Sequence, residues 1–275
     1  MKFRWKSVFS LALVVTFAAG GALAQEEPAK KEDKKEEKTP TAVSLGKDGK
    51  PVTAEQVAET VIAIYGFPGG RNTLNQIRKT TVERGHTSVV NGDGKTDNVS
   101  YQRWIIRGDN LTKEKIRLDQ EFPNARYALI FNDDKIFGIY NDSVFTPRED
   151  ASKTFENQIV RGIEALLRYK ENESKVELAG REKLMGVDLF QLDVTDKQDR
   201  KTRFYVSAKS FRVMQLEYEE AGVKYRRKFY NYNYAQGTLV PYRSVLWADD
   251  KKVEETEIST ITFGQKVDDQ LFKAG

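Results

Sequence analysis

The residues best suited to chemistry are few. His86 is the single histidine of the 275-residue chain, and there is no cysteine. A Ser-His-Asp triad would therefore have to use His86, and neither a thiol nucleophile nor a Cys/His zinc site can be assembled. His86 follows Arg84-Gly85, where a turn and an exposed, idle imidazole are expected. Asp193/Asp196 and Glu254/Glu255 have the composition of an acid–base couple. With 41 acidic residues in the chain, a solvated face is the expected role of such pairs. Asn91-Gly92-Asp93-Gly94-Lys95-Thr96-Asp97 starts like a calcium loop but lacks the closing Glu, so a hairpin turn is expected. Gly66 to Gly70 lacks the Lys-Ser/Thr ending of a phosphate loop. The expected protein is not an enzyme, and no cofactor is implied. The basic, aromatic-interleaved run Lys224-Tyr225-Arg226-Arg227-Lys228-Phe229-Tyr230 could meet lipid headgroups or an acidic partner. It could equally be an outward strand edge whose charges discourage edge pairing.

Forty-five Lys+Arg stand against 41 Asp+Glu, a formal charge of +4. The charges are interspersed and give no basic block for nucleic acid. Lys2, Arg4 and Lys6 precede an apolar run from Val8 to Ala19, and Ala22-Leu23-Ala24 supplies a small-x-small cleavage pattern. Residues 1–24 therefore read as a secretory signal peptide cut between Ala24 and Gln25. Without a cysteine at the new terminus no lipid anchor is expected, so the mature chain is expected to be soluble and periplasmic. Residues 25–52, with Glu26 to Lys38 almost free of aliphatics, read as a charged disordered tether. The folded domain is expected over 53–275 as a monomer.

The rest must bury one apolar face. Thr53-Ala54-Glu55-Gln56 is a capping box, followed by Val57, Val61, Ile64 and Tyr65 at helical spacing and stopped by Gly66 and Pro68; a short helical turn is expected over 72–78. Strands are expected over 77–83, 99–107, 114–122, 126–131 and 135–140, the last two as a hairpin about Asn132-Asp133-Asp134. In the third, Glu114, Ile116, Leu118, Gln120 and Phe122 share one face. A second helix, capped by Ser152 or Asp150, carries Phe155, Ile159, Ile163, Leu166 and Leu167 on one side. Strands resume at 175–179 and continue through 189–195, 202–207, 212–219, 223–231, 242–248 and 253–263. These close-set strands must pair antiparallel. The expected fold is α+β and mainly antiparallel β: a strongly curved, incomplete barrel of about eleven strands, twelve at most, with amphipathic helices covering its apolar concave face.

The order of elements resembles the periplasmic lipoprotein-carrier (LolA-like) superfamily of outer-membrane lipoprotein-sorting proteins. Leu178-Ala179-Gly180-Arg181-Glu182 with Gly186 before a strand, Phe204-Tyr205-Val206 followed by Val213 to Tyr218, Pro241-Tyr242 opening a strand, and Asp268-Asp269-Gln270-Leu271-Phe272 closing the chain carry the likeness, over about 53–272. The resemblance implies a half-open barrel with a helical lid over a hydrophobic cavity for lipid or lipoprotein acyl chains. Its alternative is an envelope sensor or interaction module that contacts an envelope membrane protein without transport. Alternation nominates Trp104, Ile106, Ile116, Leu118, Tyr127, Leu129, Phe204, Val206, Met214, Leu216, Tyr218 and Trp247 as the cavity wall. Ile159, Ile163, Leu166 and Leu167 are nominated as the lid.

Overall fold

The computed structural model describes residues 51–90, 93–123, 125–184 and 186–274. The expected signal peptide, its cleavage site at Ala24/Gln25 and the tether up to residue 50 lie outside these residues.

Helix α1 (Ala54–Tyr65) begins as its capping box predicts. The Gln56 N–H donates to the Thr53 hydroxyl at 3.2 Å, and the Thr53 N–H donates back to the Gln56 side chain at 2.9 Å, so two otherwise free amides are satisfied reciprocally. Its buried face is Val57, Ala58, Val61, Ile62 and Tyr65. Gly66 ends it, and α2 (Arg71–Ile77) follows.

Among the described residues thirteen strands then form one antiparallel sheet. The first six are β1 (Thr80–Val90), β2 (Thr96–Ile106), β3 (Lys115–Phe122), β4 (Ala125–Asn132), β5 (Lys135–Tyr140) and β6 (Ser143–Phe145). After α3 (Glu149–Val160) and α4 (Ile163–Leu167) come β7 (Lys175–Leu184), β8 (Val187–Thr195), β9 (Lys201–Ser207), β10 (Val213–Glu220), β11 (Val223–Ala235), β12 (Thr238–Ala248) and β13 (Lys251–Phe263). Each half is a meander, and β1 pairs with β13 to join them into the order β6-β5-β4-β3-β2-β1-β13-β12-β11-β10-β9-β8-β7. The ends, β6 and β7, do not meet, so the barrel stays open, as expected. The strand missing from the sequence reading is β6. It is only three residues long and returns through Asn141-Asp142, both at positive φ, as the Asp133-Asp134 turn does for β4–β5, the backbone a two-residue hairpin needs.

Three boundaries differ from expectation for local reasons. Strand β1 starts after Ile77, which belongs to α2, and runs on through Gly85, because a bulge at Arg84/Gly85 absorbs the irregularity. A Cβ on Gly85 would lie 2.1 Å from the Glu257 carbonyl oxygen and 2.9 Å from the Tyr101 ring, so only glycine permits this approach. His86 consequently sits in a strand instead of a turn; it is exposed, with Nδ1 3.3 Å from the Ser100 hydroxyl. The second helix is two helices. Arg148, with no side-chain capping bond, precedes α3 in place of Ser152 or Asp150, and Gly162, extended at ψ −179°, separates α3 from α4. Pro241 lies inside β12 opposite Tyr232 and does not open a strand.

The sheet has two differently covered faces. On the inner face α1, α3 and α4 pack with Ile116, Leu118, Leu129, Leu192, Phe204 and Leu216 in the main core. On the outer face the C-terminal turn Asp269–Phe272 seals a smaller cluster, where fully buried Phe272 packs with Ala128 and Ile130 and half-buried Trp104, Ile106 and Leu271 join it. Arg117 and Asn132 hold this segment by donating to the Leu271 and Phe272 carbonyls at 3.2 and 3.1 Å. Truncating an aromatic this enclosed costs about 3–5 kcal/mol. Phe272→Ala is therefore expected to lower the unfolding free energy by about that amount, read from urea denaturation; a change within experimental error would show that the C-terminal turn does not support the sheet.

Candidate functional site: a cavity under the helical lid

A cavity of about 310 Å³ lies between the inner face of the sheet and the lid helices α3 and α4. Its apolar wall combines Phe155, Ile159 and Ile163 of the lid with Ile116 and Leu118 of β3 and Leu216 of β10. Its other wall is charged, where β2, β1, β13 and β11 face inward. The buried Glu83 carboxylate accepts from the Tyr101 hydroxyl at 2.8 Å and from Arg103 Nη2 at 2.7 Å. On the neighbouring strands Arg227 donates to Glu254 at 2.8 Å and to the Ser244 hydroxyl at 3.2 Å, and the Thr87 and Thr256 hydroxyls meet at 3.1 Å. The lining is thus amphiphilic.

Arginines fasten the lid to the sheet. Arg161, at the end of α3 and almost fully buried, donates to Asn157 at 2.9 Å, to the Lys201 carbonyl at 2.9 Å and to Glu220 at 2.8 Å, with its guanidinium 4.7 Å from the Tyr218 ring centre. Glu164 of α4 receives Arg78 at 2.5 Å and Arg107 at 3.4 Å. Arg168, just past α4 and 2% exposed, pairs with Glu114 at the start of β3 and donates to the Gly108 carbonyl at 2.5 Å. Gly108 is required here, since a Cβ would lie 2.1 Å from the Lys113 carbonyl oxygen.

The two seam carboxylates respond to burial differently. Burial pushes the Glu114 carboxyl up to about 7, against the pull of Arg168. Burial also opposes ionisation of Glu164, but the charges of Arg107, Arg78 and Arg168 outweigh it and hold this carboxyl below its usual range.

Of the wall residues nominated from sequence, Ile116, Leu118, Leu216 and Tyr218 line the cavity. Tyr127, Leu129, Phe204 and Val206 belong to the same inner core without lining the cavity. Trp104 and Ile106 are corrected to the outer face. Inward positions on β2 go to Tyr101, Arg103 and Ile105, because Glu83 satisfies the first two, while the C-terminal turn covers Trp104 and Ile106. Trp247 is also misplaced: Leu246 stands opposite inward-facing Arg227, and Trp247 lies between the Arg226 and Lys228 cations, 5.9 and 5.5 Å from its ring. Met214 falls outside the core clusters of the described residues, because a bulge between Val213 and Gln215 gives its place to Val213. In the lid, Ile159 and Ile163 line the cavity, whereas Leu166 and Leu167 are sealed into the core beside α1.

The carboxylate pairs are tied up in ion pairs. Asp193 binds Arg203 and Lys201, Asp196 binds Arg200, Glu254 binds Arg227, and Glu255 binds Arg243 and Lys252. The Lys224–Tyr230 run is divided by its own pleat: Arg227 and Phe229 face the cavity, and Arg226 and Lys228 face outward. What sequence reasoning missed is the charged wall and the seam arginines. Glu114 is visible in the sequence as the acidic member of an otherwise uncharged face. Nothing local marks Arg103, Arg107, Arg161 or Arg168 among so many arginines.

No family model and no curated protein matches the chain. Solved structures do. A DUF1329 family protein from Desulfovibrio piger superposes with a TM-score of 0.59 at 12% identity, over 80% of this chain and 97% of that one. A LolA superfamily protein from Nitrosomonas europaea gives 0.57 at 16% identity, over 81% and 98%. A putative outer membrane lipoprotein-sorting protein domain from Vibrio parahaemolyticus gives 0.51 at 13% identity, over 79% and 94%. The chain therefore has the LolA-like fold that its order of elements resembles.

The Glu114 shift fixes a pH dependence. Its folded pKa, about 7, lies above the usual 4.5, so between those values the folded state holds a proton that the unfolded state has lost. Stability from this group is present below about 4.5 and fades as pH rises through 7. Glu114→Gln keeps a neutral side chain at every pH. The melting temperature of Glu114→Gln minus that of wild type is expected to increase from pH 5 to pH 8; a difference that stays flat would show that Glu114 does not titrate in that window.

Proposed function

We propose that the chain is an exported, periplasmic carrier or binder of lipid or lipoprotein acyl chains, acting by lid movement and without chemistry, with outer-membrane lipoprotein sorting as its setting. One observation carries this reading most: the cavity lies where two lid helices leave the sheet's inner face, and its apolar wall is shared by helix and strand. Displacing Phe155, Ile159 and Ile163 would open a trough with apolar flanks at Ile116 and Leu118 on β3 and at Leu216 on β10, either side of the charged strands. Acyl chains offer no hydrogen bonds, so binding must come from area, at about 0.8 kcal/mol per buried methylene. The lid supplies that area when it closes.

The present volume suits a closed state. About 310 Å³ is at the small end of the roughly 300–1,000 Å³ of ligand pockets, so a multi-chain anchor enters only with α3 and α4 displaced. Gly162, between the two helices, gives the lid a place to bend. Among the described residues no helix is long and apolar enough to cross a membrane. A second reading draws on the ion pairs across the lid seam. They favour a lid held shut at rest, as suits an envelope sensor that contacts a membrane protein and opens only when triggered.

Uptake of a fluorescent acyl probe separates these readings. Wild type is expected to enhance probe emission saturably, and Leu118→Gln, which places an amide in the apolar wall, is expected to weaken uptake at least tenfold while retaining the native circular dichroism spectrum. A folded wild type that takes up no probe would contradict the carrier reading. Capture of one defined envelope protein by that same unresponsive protein would support the sensor.

A further inference from the structure

The charged wall of the cavity has more positive charge than it uses. Five arginines and four glutamates line it among the described residues, and the surplus concentrates on one strand. Arg103 and Ile105 of β2, and Arg107 just past its end, alternate along the cavity wall. Arg103 donates Nη2 to Glu83, but its Nε is buried without a hydrogen-bond partner. Arg107, whose side chain is 10% exposed, has a single ion contact among the described residues, at 3.4 Å to Glu164 Oε2. That carboxylate is already taken at its other oxygen by Arg78 at 2.5 Å. A guanidinium whose Nε is buried without a partner, as in Arg103, is costly to leave so. Its flat fork matches a carboxylate or phosphate better than any neutral group. Burial pushes the carboxyl of Glu114, a second acidic group near Arg107, up to about 7, which weakens its negative charge.

Beside this wall, on the adjacent strand, stand Leu118 and Ile116, paired with Arg103 and Ile105, and across the cavity stand Phe155 and Ile159 of the lid. Arg103 and Arg107 are four residues apart on one face, about 13 Å at Cα by the strand rise, a gap two arginine side chains can close from both ends toward one group. We infer that the cavity selects an anionic amphiphile, laying one apolar chain along the lid and setting a carboxylate or phosphate headgroup on Arg107, with Arg103 as the second donor. This rests on the lipid-binding reading and specifies its ligand: neutral lipids of the same chain length are poor ligands. The charge on Arg107 then has two uses, steadying Glu164 in the empty protein and holding the headgroup in the loaded one.

Calorimetric titration of the full chain with dodecanoate, dodecyl phosphate, dodecanol and inorganic phosphate tests this. Either anionic amphiphile, or both, is expected to bind at least tenfold more tightly than dodecanol, and whichever is tighter identifies the headgroup. Inorganic phosphate alone is expected to bind far more weakly than dodecyl phosphate. Arg107→Gln is expected to bring the anionic-to-neutral ratio toward one, and Arg107→Lys, which keeps the charge and loses the fork, to leave part of it; Glu164 keeps Arg78 in both variants, so the lid retains a partner. Equal affinity for dodecanol and dodecanoate would overturn the headgroup site and leave the acyl-binding proposal standing, as would a ratio unchanged in Arg107→Gln. Inorganic phosphate as tight as dodecyl phosphate would make this an anion site and overturn the amphiphile. Binding of none of the four would overturn both proposals.

Discussion

An open antiparallel sheet with one apolar face must have that face covered, and in this molecule the cover is three helices that do not fill it. Helix α1 closes the second half of the sheet tightly: Tyr65 is fully buried, hydrogen-bonded to the Tyr232 hydroxyl at 2.9 Å and accepting from the Val213 amide at 3.3 Å. Helices α3 and α4 span from Glu114 beside β3 to Lys201 and Glu220 on β9 and β10, and stand off far enough to leave the cavity. The asymmetry originates in the chain. The α1 stripe is continuous from Val57 to Tyr65, whereas the second stripe is interrupted at Arg161-Gly162.

Fastening that interrupted cover with buried charge has a physical consequence. Ion pairs out of water return little net stability, because desolvation offsets their attraction, and Glu114 is pushed toward neutrality for this reason. Such pairs are directional, however. Arg168 fixes α4 to both Glu114 and the Gly108 carbonyl, and Arg161 fixes the break to the Lys201 carbonyl and Glu220. A lid held by a few directional contacts at its ends, and by apolar side chains along its middle, can lift as a unit without dismantling the sheet. In the proposed movement Leu166 and Leu167 of α4 leave their places beside α1, and the packed α1 half stays as the fixed base.

Much of this was readable in the residues. The capping box at Thr53, the alternation from Glu114 to Phe122 and the Asn132-Asp133-Asp134 hairpin each specify a local structure by themselves, and each is present. The faces of β2 were not readable, because Trp104-Ile105-Ile106 offers apolar residues to both sides. The choice is made by distant partners, Glu83 on one face and the C-terminal Leu271-Phe272 on the other. Trp247 misleads likewise, since a large aromatic reads as core until two cations on the neighbouring strand claim it. Met214 is displaced by a bulge, which period-two alternation does not encode. The cavity's charged wall was hidden for a different reason: its arginines become distinctive only when strands far apart in sequence bring them to one side. Hydrophobicity therefore located the trough but not its chemistry.

The proposed function requires a lipid chain in the space between the lid and the inner face. Native mass spectrometry of the protein isolated from its own cell envelope, followed by lipid analysis of the released species, addresses this most directly. A bound acyl-chain lipid is expected in stoichiometric or near-stoichiometric amount, lost when the lid is opened by denaturant. A folded protein recovered at its bare polypeptide mass, and unable to acquire lipid when mixed with envelope extracts, would contradict it.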